Sequence, residues 1–226
     1  MKQSADTKEH ILDAAEEIFA REGYRAASLW AITTRAAVNL AAVNYHYGSK
    51  RGLVEAVFAR RLQVMNLARV RGLASVREKA RAGGRRPDAR ALIAAFVETT
   101  LGHARSGPGE RHFMTLVLRS FSDTDHTVQR AFESFMKPTF EALRDAMAEA
   151  LPDLPATELR WRLQFTIGAM IRVQHLALAA GAGGRRTPRT PDAATIRLLT
   201  DFVHAGLSRP PAAPSRHHAS AQGESS

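Results

Sequence analysis

Apolar positions along this chain recur three and four apart almost throughout, and no run of four to eight residues alternates as a strand does. Ile11, Leu12, Ala15, Ile18 and Phe19 share one face of a first helix. Asp6 and Glu9 are spaced as a capping box at its start, and Gly23 is placed to end it. Ser28 can cap a short second helix that turns Leu29, Ile32 and Ala36 inward. Asn39 can cap a third, to about His46, with Leu40 and Val43 on its apolar side. Ser49 caps a fourth that runs to about Ala82. At 1.5 Å per residue that fourth helix is roughly 50 Å long.

Further helices are predicted from about Asp88 to Ser106, Glu110 to Ser122, Thr124 to Ala150, Thr157 to Ala180 and Pro191 to Leu207. Phe132, Phe135, Met136, Phe140, Leu143 and Met147 keep one phase across Pro138, which predicts a single kinked helix. The last two helices are apolar on two sides. Leu159, Leu163, Ile167, Met170 and Ile171 oppose Trp161, Phe165 and Leu176; Ile196, Leu199 and Val203 oppose Leu198 and Phe202. One such face suits the core and the other a partner subunit. Gly107-Pro108-Gly109 and Gly181-Ala182-Gly183-Gly184 read as connectors, and 208–226 as a disordered tail. The fold class is all-α.

Composition narrows the function. The 226 residues hold 32 Lys and Arg against 22 Asp and Glu, a net charge of +10. The excess sits mainly in 61–90, with nine bases and two acids, whereas 1–60 is nearly neutral with eight and seven. Bulk charge alone therefore does not select nucleic acid as the partner, and the local pattern has to. No cysteine is present, which excludes disulfides and thiolate chemistry. The longest charge-free run, 36–49, is 14 residues, short of the 18 or so a membrane span needs. The start lacks the apolar core of a signal peptide, so a soluble, cytoplasmic protein is expected. No G-x-S-x-G turn, Walker loop or G-x-G-x-x-G occurs. His103 and His112 lack ligand spacing, and His217-His218 has no third ligand nearby. Neither an enzyme, a cofactor nor a metal site is expected.

The informative stretch is 7–60. Its second and third helices, joined by a tight turn at Ala37-Val38, have helix-turn-helix spacing, whose second helix enters a major groove. That helix offers Asn39, Leu40, Ala41 and Ala42, small enough to let the backbone approach base edges. It then presents Asn44, Tyr45, His46 and Tyr47, with Ser49 and Lys50 opening the next helix. Hydroxyls, imidazole, ammonium and helix N-termini are the usual donors to phosphate.

The segments Ile11 to Phe19 with Gly23-Tyr24, Ser28 to Ile32, and Ala37 to Lys50 resemble the N-terminal domain of TetR-family transcriptional regulators. Val43-Asn44-Tyr45-His46-Tyr47-Gly48-Ser49-Lys50 is also similar to the PsrA-like branch, as are Phe96-Val97, Phe113-Met114 and Trp161 to Phe165. The resemblance implies a homodimer, paired through its last two helices, that binds a palindromic DNA operator, usually as a repressor. A small hydrophobic effector would sit in the C-terminal domain, and the branch is associated with fatty acids. It implies a helix-turn-helix domain at 1–50, an effector-binding and dimerisation domain at 51–207, and the tail at 208–226. By motif position Leu40, Ala41, Ala42 and Asn44 would face bases; Tyr45, His46 and Lys50 would hold phosphates, with Ser28 capping beside the backbone. The family usually has glycine where Ala37 stands, commonly tyrosine where Asn44 stands, and often a charge where Trp30 stands. Trp30 either packs on a neighbouring helix or lies on the DNA backbone.

Polar residues that interrupt the later stripes are the effector candidates: His112, Thr115, Arg119, Arg172 and His175, with His103 and Gln164 beside them. Arg119 or Arg172 could meet a carboxylate. Two alternatives stand against the regulator. One is a sequence-independent, nucleoid-type DNA binder driven by the charge; the other is a binding protein whose helix-turn-helix no longer docks DNA.

Overall fold

A computed structural model of the chain describes residues 2–102, 108–120, 126–180 and 191–211. Among them are nine helices and no strand: α1 (Lys2–Glu22), α2 (Leu29–Ala36), α3 (Leu40–Tyr47), α4 (Lys50–Ala82), α5 (Ala89–Gly102), α6 (Pro108–Ser120), α7 (His126–Ala150), α8 (Ala156–Ala180) and α9 (Ala193–Ser208).

The caps explain why these boundaries fall where they do. Ala31 N–H donates to Ser28 Oγ at 3.0 Å, Ala42 N–H to Asn39 Oδ1 at 2.8 Å and Gly52 N–H to Ser49 Oγ at 3.0 Å. Asp88 and Asp192 do the same for α5 and α9, at 2.7 Å each. Each cap satisfies an amide that would otherwise have no partner, worth about 1 kcal/mol. Arg162 of α8 closes the other end of α9, donating to the carbonyls of Leu207 at 2.8 Å and Gly206 at 3.1 Å. Pro138 lies inside α7, which runs on as one helix through it.

Three boundaries differ from expectation. α1 begins at Lys2, so Asp6 lies inside the helix and is not its N-cap. The residues from Lys2 to Ala5 include no proline or glycine, and nothing halts the helix at the capping box. α6 takes in Pro108 and Gly109, because proline suits a first helical turn. The α9 cap is Asp192 rather than Pro191. Residues 103–106, 121–125 and the connector 181–184 lie outside the described residues, as do His103, His217-His218 and the tail from 212.

Two apolar cores share α4 as a spine. The first gathers Ile11, Ile18 and Phe19 of α1, Ile32 of α2, Val43 of α3, Leu53 to Leu62 of α4, Phe113 of α6 and Phe132 of α7. At its centre the fully buried Phe58 ring meets Phe113 and Phe132 edge-on, each 5.9 Å away. The second gathers Leu73 of α4 with α5, the end of α7, α8 and α9. The first core thus crosses residue 50 without a break.

Candidate nucleic-acid interface and ligand cavity

α2 and α3 are held by a turn in which Ala37 takes φ 54° and ψ 44°, the left-handed region. Val38 N–H closes it onto the Thr33 carbonyl at 3.0 Å. Ile32 and Ala36 of α2 and Val43 of α3 face the first core. The opposite surface is uncovered. Trp30 is 76 % exposed, Tyr45 85 % and Leu40 49 %, with Asn39, Ala41, Asn44 and Ser28 exposed beside them. This corrects the expectation that Leu40 lies on the apolar side of its helix, and Trp30 lies outside the core. Ala42 is half-buried against the core, so it is the least available of the four small or polar residues expected at bases.

Three contacts hold α3 and the start of α4 against their surroundings. Tyr47 hydroxyl donates to the Lys8 carbonyl of α1 at 3.0 Å. Desolvation, helped by Glu9, raises its pKa to about 12, so it stays a neutral donor. Lys50 Nζ donates to the Arg25 carbonyl at 3.2 Å and lies 4.6 Å from the centre of the Tyr24 ring. Third, Gly52 sits so close to α3 that a Cβ there would lie 2.2 Å from the Tyr47 carbonyl oxygen. His46 is half-buried, its ring edge-on to Tyr45 at 4.9 Å.

α1 is locked to α4 by the buried Glu16. Its carboxylate accepts from Arg61 Nε at 3.0 Å and Nη2 at 2.8 Å, and from Arg60 Nη2 at 2.8 Å. Arg60 also pairs with Asp13 at 2.8 Å and Glu9 at 3.1 Å.

In the C-terminal half a cavity of about 60 Å³ lies between α4, α5, α6, α7 and α8, walled by Leu62, Phe96, Phe113 and Met136 among others. Its polar lining is Arg69, Thr100 and Gln174. Phe132, Phe140 and Ile167 line both it and a groove of about 660 Å³ between α7 and α8, where Gln164 lies. None of the five effector candidates lines either space. Thr115 hydroxyl donates to the Arg111 carbonyl at 2.8 Å, and Arg119 Nη2 to the Arg21 carbonyl at 3.2 Å. His112 is half-buried, and Arg172 and His175 are exposed on α8. Sequence reasoning missed Arg69 and Gln174. The signal was present: each is a polar side chain in phase with an apolar stripe, Leu62-Met65-Arg69-Leu73 and Leu163-Met170-Gln174.

Among the described residues no three His, Asp or Glu are grouped to hold a metal, and no helix is long and apolar enough to cross a membrane. An all-helical chain with a helix-turn-helix at one end and a larger helical domain behind it has the architecture of a bacterial transcription regulator. Residues 11–57 match the pattern described as "Bacterial regulatory proteins, tetR family", and 94–206 match "Tetracyclin repressor-like, C-terminal domain". The chain belongs to the TetR family.

Solved structures with the same fold include a putative TetR-family transcription regulator from Shewanella sp. PV-4, with a TM-score of 0.60 and 16 % identity over 88 % of this chain and 96 % of that one. The regulator FadR from Bacillus subtilis, in complex with stearoyl-CoA, gives 0.58 and 13 % over 88 % and 96 %. A putative regulator from Saccharomonospora viridis, in complex with choline, gives 0.58 and 17 % over 89 % and 95 %. At these identities the likeness is one of fold. No curated protein sequence matches the chain.

Proposed function

We propose that this protein is a ligand-responsive repressor that binds a palindromic operator as a homodimer and releases it when a small apolar effector, a fatty acid or acyl-CoA, occupies the C-terminal helices. The observation that carries the reading is the uncovered α2–α3 face, where Leu40, Asn44, Tyr45 and Trp30 find no cover among the described residues. Leu40, Ala41 and Asn44, with Ala42 at the edge of the face, read bases; an asparagine pairs with adenine through two hydrogen bonds. Ser28, Asn39, Tyr45, His46, Lys50 and Trp30 hold the sugar-phosphate backbone. Tyr47 positions α3 through its bond to α1 rather than touching DNA.

The exposed Trp161, Phe165, Leu198 and Phe202 of α8 and α9 support pairing through the last two helices. Release is a population shift. α4 carries Lys50 behind α3 at one end and cavity residues Leu62, Met65 and Arg69 further along, so an effector that favours one α4 pose moves the half-sites out of register. The likeness of 43–50 to the PsrA-like branch, and the stearoyl-CoA held by one structural neighbour, support an acyl effector. Choline, held by another, is a cation and suits a cavity lined by an arginine poorly.

Two substitutions test the reading against charge-driven, sequence-independent binding. Asn44→Ala relaxes base preference by about 1–3 kcal/mol on the cognate site while leaving random DNA alone. Tyr45→Ala weakens both alike, since phosphate contacts carry no sequence information. Fluorescence anisotropy on cognate and shuffled duplexes measures each. Equal losses on the two duplexes for Asn44→Ala count against base reading, and total loss of binding at moderate salt favours the nucleoid-type alternative.

A further inference from the structure

Arg69 is the one charged side chain among the cavity-lining residues, and it is 4 % exposed. Its Nε donates to Thr100 Oγ1 at 3.0 Å; its Nη1 donates to Asn66 Oδ1 at 2.8 Å and touches Met136 Sδ at 3.4 Å. The guanidinium lies 5.5 Å from the centre of the Phe96 ring. Among the described residues no carboxylate pairs with it, and Nη2 has no hydrogen bond. Desolvation draws its pKa down to about 10, so it remains a cation at neutral pH. A buried cation without an anion is costly, and such groups are normally paired. Arg60 and Arg61, on the same helix, have that pairing in Glu16. Gln174 lines the same cavity, is buried, and makes no side-chain hydrogen bond among the described residues.

We propose that Arg69, assisted by Gln174, receives the carboxylate of an apolar monocarboxylic acid that enters this cavity head first. The assignment rests on the effector reading above and narrows it from acyl compounds in general to free acids. Size supports it. A cavity of about 60 Å³ has room for roughly four water-sized groups, enough for a carboxylate and the first carbons of a chain. The remaining hydrocarbon passes Phe132, Phe140 and Ile167 into the groove between α7 and α8. A thioester entering tail first would lay hydrocarbon on the guanidinium and leave its charge unmatched. An alcohol of the same length would fill the same space without the charge.

The test compares octanoate, octan-1-ol and octanoyl-CoA on the purified full-length chain, by thermal shift and isothermal titration calorimetry. Octanoate is expected to raise Tm and to bind roughly tenfold or more tighter than either of the others, the ordinary value of a charge-assisted pair in a buried site. In Arg69→Met the octanoate shift disappears while the ligand-free Tm stays level or rises, because the group removed is an unmatched charge. A merely structural Arg69, tying α4 to Thr100, would instead give a lower Tm with octanoate binding kept. That result overturns the assignment, as does octanol or octanoyl-CoA equalling octanoate. Absence of any shift with butanoate, octanoate and dodecanoate also overturns it. If Arg69→Met does not fold, the three-probe comparison on the wild type decides alone. DNA binding of the ligand-free chain, measured on the same preparations, separates the two readings. Sequence preference without a carboxylate response removes only the Arg69 assignment, and a carboxylate response without sequence preference removes the repressor.

Discussion

At Ala37 the chain holds an L-residue with a Cβ in the left-handed region, between two helices whose angle sets the reading head. That conformation costs an alanine roughly 1–2 kcal/mol, and a glycine there gives back part of the gain through its looser unfolded state. Ala37→Gly is therefore expected to stabilise the protein by about 0.5–1 kcal/mol, seen as a higher urea midpoint at unchanged slope; a lower midpoint would contradict the strain. The sequence showed that an alanine stands at this turn but not the sign of its φ. Gly52 was harder to read. In sequence it looks like a tolerated interruption of α4, and only the folded chain shows it facing the Tyr47 carbonyl, where no Cβ fits. Arg69 is the opposite case: its place on an apolar stripe was legible, but its lack of an acid partner depends on which helices surround it.

Among the elements, the helices themselves were the most legible part, because caps and stripes are local. Ser28, Asn39 and Ser49 each cap where their side chains predict, and α4 has its expected bounds. The inner and outer faces of α8 and α9 also separate as the spacing implies, with Leu159 and Leu199 buried and Phe165 and Leu198 exposed. The packing of helices distant in sequence was not legible. Nothing in the spacing shows that α6 and α7 complete the core of the helix-turn-helix, or that Glu16 locks α1 to α4. That lock has a measurable weight. Glu16→Ala removes the buried carboxylate that Arg60 and Arg61 share and leaves Arg60 with only its exposed partners, and is expected to cost about 3 kcal/mol. Chemical denaturation measures it; a loss below about 1 kcal/mol would show that solvent replaces the pair.

Over the whole molecule, the proposed function depends on two copies held at a fixed spacing. Leu198 and Phe202, 72 % and 70 % exposed on α9, find no cover among the described residues and are the proposed contact with a second copy. Placing aspartate at both is expected to halve the mass measured by analytical ultracentrifugation while leaving helix content and Tm nearly unchanged, since neither side chain is in the core. Unaltered mass would move the interface elsewhere. A monomer carries one reading head and loses the added affinity of the second half-site. The measurement that bears most directly on the account starts from a random duplex library selected by the full-length chain at physiological salt. Anisotropy of the selected and shuffled sequences follows. An inverted repeat preferred by 10³ or more is the expected result for a specific operator binder. No enriched sequence, with equal and strongly salt-dependent binding to every duplex, would contradict it.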